Sequence, residues 1–216
     1  MTTMAEQVMR RFYRRARGAP ERLPWHREAP SSVLDSAVKA RDRHGLALDV
    51  GCGAGVFSVW LAEQGMDVTG LDLFPEAIAM AEQRAADEGV DVAFVCGDLF
   101  AYAPESPFDL VFDSGCLHSL VVGSVTAYRE QLLRWLAPAG DFVLEHWGKR
   151  HRLDWRPVGP RRRSQATIQR VFAPDLRLVD THVSDFRAPL PFGPTVRAVG
   201  YRFHRPTTVS GTPRSS

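Results

Sequence analysis

Apolar residues return at four-residue spacing in Met4, Val8, Phe12 and Ala16, which predicts a helix from Met4 to Arg17. Gly18-Ala19-Pro20 breaks it, and Pro24-Trp25-His26 reads as loop. Ser31-Ser32 can cap a second helix through Val38 to Arg43. From Leu46 the pattern becomes regular. Short apolar runs predict strands at Leu46–Val50, Asp67–Leu73, Val90–Cys96, Phe108–Phe112 and Asp141–Glu145. Between them, helical composition covers Val56–Gln64, Pro75–Glu88 and Ser124–Leu136, with Pro75 suited to a first turn and Gly89 to a stop. Pro138-Ala139-Gly140 predicts a turn into the fifth strand. Strands alternating with helices in this way imply a parallel sheet covered on both faces.

After Trp147 the periodicity disappears. Gly148 to Arg163 is basic and interrupted by prolines, so it is expected to be a lid or a mobile loop. A short helix at Gln165–Phe172 follows, then β-rich runs at Leu176–Phe186 and Val196–His204, read as an antiparallel addition to the sheet. A frayed tail is expected from Pro206. The 216 residues suit one α/β domain. Its parts are an N-terminal helical cap (1–45), a core (46–147), a basic lid and helix (148–172), C-terminal strands (173–205) and a tail (206–216).

Composition changes this picture only through its distribution. Hydrophobic residues at 44% and charged residues at 24% are ordinary for a globular chain, and the net charge is only +2. Arg10 to Arg27, however, holds seven arginines and one acid, and Lys149 to Arg163 holds seven bases and one acid. Between them, Gly45 to Glu130 holds fourteen acids and two bases. No apolar run reaches the roughly 20 residues of a membrane span, and Met1 to Arg17 lacks a secretory h-region. Cys52, Cys96 and Cys116 show no zinc-ligand spacing and suit a reducing compartment, so a cytoplasmic location without membrane partners is expected.

The sharpest local signal is Asp49-Val50-Gly51-Cys52-Gly53-Ala54-Gly55, where the first strand meets the first core helix. Glycines there let the chain turn sharply and let a ligand lie against the backbone. The spacing is G-x-G-x-G, not the G-x-G-x-x-G of a dinucleotide fold, and an acid precedes it. Asp49 would oppose a pyrophosphate and favour a ligand carrying an ammonium or sulfonium group. Asp72 ends the second strand, where a carboxylate can accept both hydroxyls of a ribose, and Leu73 and Phe74 could wall an adenine. Asp98-Leu99 follows the third strand and Asp113 ends the fourth. Four acids at successive strand ends line the crevice in which open α/β sheets bind ligands.

These elements resemble the class I S-adenosylmethionine-dependent methyltransferase family. Asp49–Gly55 looks like its first motif, Asp72 like its ribose acid and Asp98-Leu99 like its adenine-contacting pair. Phe108 to Asp113 and Leu136 to Gly140 look like its fourth-strand motif and the turn before its fifth strand. The resemblance covers about Leu46 to Glu145 and implies a Rossmann-like seven-stranded sheet, mostly parallel with an antiparallel last strand. It also implies S-adenosyl-L-methionine as methyl donor, with Trp25, Asp49, Gly51, Gly53, Gly55, Asp72, Leu73, Asp98, Leu99 and Asp113 around it. Asp113-Ser-Gly-Cys-Leu-His118 and the N-terminal segment are similar to the thiopurine- and tellurite-resistance-like small-molecule branch. In that branch an N-terminal aromatic residue lies near the methionine portion, the role expected of Trp25, with Phe12 or Tyr13 assisting.

Methyl transfer is an in-line displacement that must align the acceptor and, for a hydroxyl, remove its proton. Two of the seven histidines, His118 after the fourth strand and His146 after the fifth, fall where that base is needed. Asp113 or Glu145 is expected to orient a ring. Mg2+ held by Asp113, Glu145 and a histidine is a rival means of activating a hydroxyl, but no ligand triad is evident in the spacing. The leading expectation is O-methylation of a small molecule, anionic or polyhydroxylated, by a monomer or homodimer. S- or N-methylation and RNA methylation through the basic flanks are alternatives, as is a cofactor-binding subunit without activity. Asp-Ser-Gly-Cys after the fourth strand differs from the Pro-Pro type used on base amines, which weighs against nucleic acid.

Overall fold

A computed structural model describes residues 4–41, 45–121, 123–151, 154, 161–186 and 195–207. Seven strands build one sheet: β1 (Leu46–Val50), β2 (Asp67–Asp72), β3 (Ala93–Cys96), β4 (Phe108–Ser114), β5 (Leu136–Gly148), β6 (Arg177–Phe186) and β7 (Val196–His204). The helices are α1 (Met4–Ala16), α2 (Ser32–Lys39), α3 (Val56–Glu63), α4 (Pro75–Glu88), α5 (Ser124–Trp135) and α6 (Gln165–Phe172), with one 3₁₀ turn at Pro20–Arg22. The strand order is β3-β2-β1-β4-β5-β7-β6. β1 to β5 pair in parallel and β7 runs antiparallel to both β5 and β6, so β7 alone is reversed. No helix among the described residues is long and apolar enough to cross a membrane.

Successive residues of the central strands are buried on opposite faces, which is why the strands read as unbroken apolar runs. One face packs Leu48, Val111, Phe142 and Leu144 against α5 and α6 through Tyr128, Trp135, Ile168 and Phe172. The other packs Ala47, Phe112 and Val143 against α2 and α3 through Leu34 and Leu61. A third, smaller cluster joins Tyr13, Ala16 and Leu23 to Ala54, Phe74 and Ala77, laying α1 and the 3₁₀ turn over the β1–α3 loop. β1 and β4 are adjacent although two strand–helix units separate them in sequence. Their C-terminal ends therefore flank the point where the winding reverses, the ligand crevice of such sheets.

Several element boundaries differ from the periodicity. α2 stops at Lys39, capped by Ser31, whose hydroxyl accepts from Leu34 N. The expected extension to Arg43 runs into residues outside those described. β3 spans only Ala93–Cys96, and residues 90–92 lead into it. α5 yields to β5 already at Leu136, and Pro138-Ala139-Gly140 sits within that strand as an irregularity. Phe108 pairs with Leu136, Leu110 pairs with Asp141, and Ala139 adopts φ 61°. β5 also runs three residues past Glu145, because Glu145 to Gly148 pair with Gly200 to Arg197 of β7. His146 and Trp147 thus belong to the strand and do not follow it. The expected lid is fixed where it is described: Arg163 bridges to Gly148, and the Arg163 and Lys149 amides bond to Trp147 O and Arg163 O. Most of the segment between, together with Pro189, Pro191, Pro194 and the end of the tail, lies outside the described residues.

Candidate active site

The β1–α3 turn is made by three glycines in left-handed conformation, Gly51 (φ 70°), Gly53 (φ 57°) and Gly55 (φ 74°), where side chains are strained. They serve different purposes. A Cβ on Gly55 would lie 2.8 Å from Ala81 Cβ and 2.9 Å from Ala81 Cα, so this glycine lets α3 start against the backbone of α4. A Cβ on Gly51 would meet Cys116 Cβ at 3.0 Å. A Cβ on Gly53 would meet only the Tyr13 hydroxyl, at 3.4 Å. Gly53 is therefore the glycine that presents its backbone to the space beneath α1.

Asp49 and Asp72 flank that space, both buried. Asp49 Oδ2 accepts from Ser58 Oγ at 2.6 Å. Burial raises its pKa to about 7 despite that bond, with Asp113, Asp72 and Glu145 adding to the rise. Asp72 Oδ2 accepts from Gly53 N and Oδ1 from Phe74 N, each at 2.9 Å, and burial raises its pKa to about 6. Each carboxylate oxygen has a second acceptor site, so Asp72 retains capacity for two hydroxyl donors. Leu73 is 45% exposed and Asp98 is exposed, and Gly97 opens onto empty space beside them. Asp98 Oδ1 also accepts from Phe100 N at 2.9 Å. Leu99 is half-buried against the main core, and Phe74 is buried 5.7 Å from the Tyr13 ring.

Trp25 is 40% exposed and stands edge-on to Phe12 and Tyr13, at 5.5 and 5.7 Å. Tyr13 is the residue of this group that reaches the glycine turn. Burial and the nearby Asp72 push its phenol pKa up. Asp113 occupies a different setting from the other acids. Wholly buried, it accepts from Cys116 N (2.8 Å), Leu117 N (3.0 Å) and Tyr128 Oη (2.6 Å), and burial raises its pKa to about 6. Its oxygens are committed to shaping the β4–α5 turn.

That turn brings His118 against the end of β5. Its ring lies 5.4 Å from that of His146 and 5.6 Å from that of Trp147. His118 Nδ1 is buried and has no partner among the described residues, and burial, His146 and Arg163 all lower its pKa. His146 is fully engaged. Its Nδ1–H donates to Trp147 O at 2.7 Å, and Arg163 Nη1 donates to its Nε2 at 2.9 Å. Burial and Arg163 depress its pKa to about 4 even though the bond to Trp147 O opposes this. The neutral tautomer is therefore fixed, with no lone pair left for an acceptor.

The expectation that Asp113 or Glu145 orients a ring is not met. Strand alternation turns Glu145 to the face opposite His146. There Glu145 Oε2 pairs with Arg27 Nη2 and accepts from Ser114 Oγ at 2.8 Å, while Oε1 is buried without a partner. Arg27 also lies 5.0 Å over the Phe57 ring. Arg27, Ser58 and Arg163 carry no motif that would mark them in the sequence, whereas Tyr13 stands against Trp25, as one of the two aromatics expected to assist it. Arg27 meets Glu145 118 residues away, Arg163 meets His146 17 residues away, and Ser58 meets Asp49 nine residues away. No group of three or more His, Cys, Asp or Glu able to hold a metal ion occurs among the described residues.

A glycine turn ringed by strand-end acids at the reversal point of a 3-2-1-4-5-7-6 sheet defines the Rossmann-like methyltransferase fold. Residues 47–140 match the model of the methyltransferase-domain family. The chain is 31% identical over 148 residues to 2-heptyl-1-hydroxyquinolin-4(1H)-one methyltransferase of Mycobacteroides abscessus, and the match spans 65% of each chain. It resembles a protein solved in connection with the conversion of a disulfide bond into a thioacetal group during echinomycin biosynthesis. That likeness has 26% identity and a TM-score of 0.68, over 94% of this chain and 93% of that one. The N-methyltransferase NodS of Bradyrhizobium japonicum, solved with S-adenosyl-L-homocysteine, shares the fold. It has 21% identity and a TM-score of 0.74, over 94% of this chain and all of that one.

Proposed function

We propose that the protein is an S-adenosylmethionine-dependent methyltransferase that modifies a hydroxyl oxygen of a small molecule, with His118 as general base. The carrying observation is the placement of His118 Nδ1, buried and unpartnered among the described residues, one strand across the sheet from the glycine turn. The cradle suits the cofactor. Gly53 offers open backbone, Asp72 has spare acceptor capacity for a ribose, and Gly97 with Leu73 and Asp98 borders space for an adenine. Leu99 supports that wall from the core side. Asp49 supplies negative charge for the ammonium end, and Gly51 and Gly55 hold the turn that presents it. Tyr13 of α1 and Trp25, in the loop after the 3₁₀ turn, close the cradle. When bound, S-adenosylmethionine supplies an electrophilic methyl group. The protein's own residues orient the acceptor, exclude water and take the proton at His118 Nδ1.

His146 serves as a positioning residue, since both of its ring nitrogens are occupied. Asp113 acts beneath the cofactor by holding the turn that carries His118. The 2-heptyl-1-hydroxyquinolin-4(1H)-one methyltransferase relative supports a small aromatic acceptor bearing a hydroxyl. An acceptor screen with radiolabelled S-adenosylmethionine, with and without Mg2+, identifies turnover. On the acceptor found, His118→Ala is expected to lower kcat by about 10²–10⁴-fold with S-adenosylhomocysteine affinity unchanged. Near-normal kcat in that variant refutes the base assignment.

A further inference from the structure

The arginines of the basic segment fall into two kinds. Arg150 and Arg162 share Asp154 as counter-ion, at 3.9 and 3.0 Å, and Arg162 lies 5.9 Å over the Trp147 ring. Arg161 and Arg163 have no carboxylate within ion-pairing distance among the described residues, yet both are held in place. The Arg161 amide donates to His118 O at 3.0 Å and its Nε to Leu120 O at 3.1 Å. The Arg163 amide donates to Trp147 O at 3.2 Å, and its Nη1 holds His146. Burial and the neighbouring Arg161 lower the pKa of Arg163, so these two cations repel each other where they stand. Like charges fixed together without counter-charge cost free energy that a bound anion removes.

The carboxylates nearest this pair are engaged elsewhere. Asp113, the carboxylate of the same turn, is taken up by Cys116, Leu117 and Tyr128. Glu145 faces the other side of the sheet with Arg27. Facing His118 are neutral His146, Trp147 and the cationic Arg163, and His118 Nδ1 has no partner among the described residues. Beside Arg161, half-buried Leu120 and 67%-exposed Val121 offer apolar contact for a ring.

We infer that the acceptor is an acidic hydroxyl compound, a phenol or N-hydroxy heterocycle, bound as its oxyanion between Arg161 and Arg163 after its proton passes to His118 Nδ1. This rests on reading the ends of β4 and β5 as the acceptor site. In that step the O–H bond breaks, the Nδ1–H bond forms and the negative charge stays on oxygen. The imidazolium, next to Arg163, then returns the proton to solvent. A histidine whose proton affinity is reduced by burial and by a guanidinium cannot ionise an aliphatic alcohol effectively, but it matches an acidic hydroxyl.

The test uses 4-nitrophenol, whose ionised form absorbs visible light, titrated into full-length protein saturated with S-adenosylhomocysteine below the probe's solution pKa. Wild-type protein is expected to ionise the bound probe, lowering its pKa by about one unit or more, roughly tenfold in ionised fraction. Arg161→Ala, and Arg163→Gln, which keeps a donor for His146, should each diminish the shift, and Arg163→Lys should retain it. Melting curves show that the variants are folded. Probe bound without the phenolate band overturns the inference, as does a full shift in both charge-removing variants. So does wild-type protein that binds S-adenosylhomocysteine but not the probe. Calorimetry showing no S-adenosylhomocysteine binding removes the cofactor reading itself, and this inference falls with it.

Discussion

Gly53→Ala and Gly55→Ala place the same methyl group two residues apart in one turn, and the structure assigns them opposite consequences. At Gly55 the new Cβ enters a left-handed backbone (φ 74°) and lies 2.8 Å from Ala81 Cβ and 2.9 Å from Ala81 Cα. Left-handed backbone costs about 1–2 kcal/mol for an L-residue and overpacking about 1–3, so the sum is about 2–5 kcal/mol. For a domain of this size that lowers Tm by roughly 4–20 °C. At Gly53 (φ 57°) the only neighbour among the described residues is the Tyr13 hydroxyl at 3.4 Å, an ordinary contact, so only the backbone cost of about 1–2 kcal/mol remains. The methyl group instead enters the cofactor's space, and a steric cost of about 1.4 kcal/mol or more weakens S-adenosylhomocysteine at least about tenfold. Thermal unfolding and titration calorimetry on both variants check the pair. A Gly55→Ala protein melting within about 2 °C of wild type, or a Gly53→Ala protein with wild-type cofactor affinity, refutes the reasoning.

Arg27→Ala leaves Glu145, 7% exposed, with Ser114 as its remaining partner. Removing one member of a fully buried pair costs about 3–5 kcal/mol, and the 38% exposure of Arg27 reduces this to about 1–3, measurable by urea unfolding and partly restored by adding Glu145→Gln. Tyr128→Phe withdraws a 2.6 Å donor from buried Asp113 and should cost about 1–3 kcal/mol. Because Asp113 ionises at about pH 6, the loss should grow as pH rises through 6, which unfolding at pH 5 and pH 8 distinguishes. Asp49 and Asp72 take up protons below about pH 7 and pH 6. Ionised, Asp49 attracts the ligand's ammonium group and Asp72 accepts from its ribose hydroxyls, so S-adenosylhomocysteine affinity should fall between pH 7.5 and 5.5, with proton release seen by calorimetry in buffers of different ionisation enthalpy.

The acids at the ends of β1, β2 and β4 were legible because each closes an apolar run that glycine or turn residues punctuate. What each acid does was less legible. Asp113 looks like Asp72 in sequence, and only the folded turn shows that Cys116, Leu117 and Tyr128 consume its oxygens. The glycines likewise read as one motif, whereas the neighbour that requires Gly55 is Ala81, on a helix 26 residues away. The end of β5 escaped because Glu145 to Gly148 contain no β-branched residue; their strand character comes from pairing with β7. That boundary reversed the direction assigned to Glu145 relative to His146. It also exchanged an expected carboxylate partner for Arg163, a contact spanning 17 residues.

Glu145 and His146 are consecutive, yet each is gripped by a different arm of the chain. Arg27, on the segment that follows α1, holds one, and Arg163 of the basic segment holds the other. The backbone between them is shared, so ordering either arm restrains the strand residue that anchors its counterpart. An acceptor that fixes Arg163 is expected to favour cofactor binding beneath α1, and the cofactor to favour acceptor binding by the same factor. Donor and acceptor would then bind with positive cooperativity transmitted through a single peptide bond of β5.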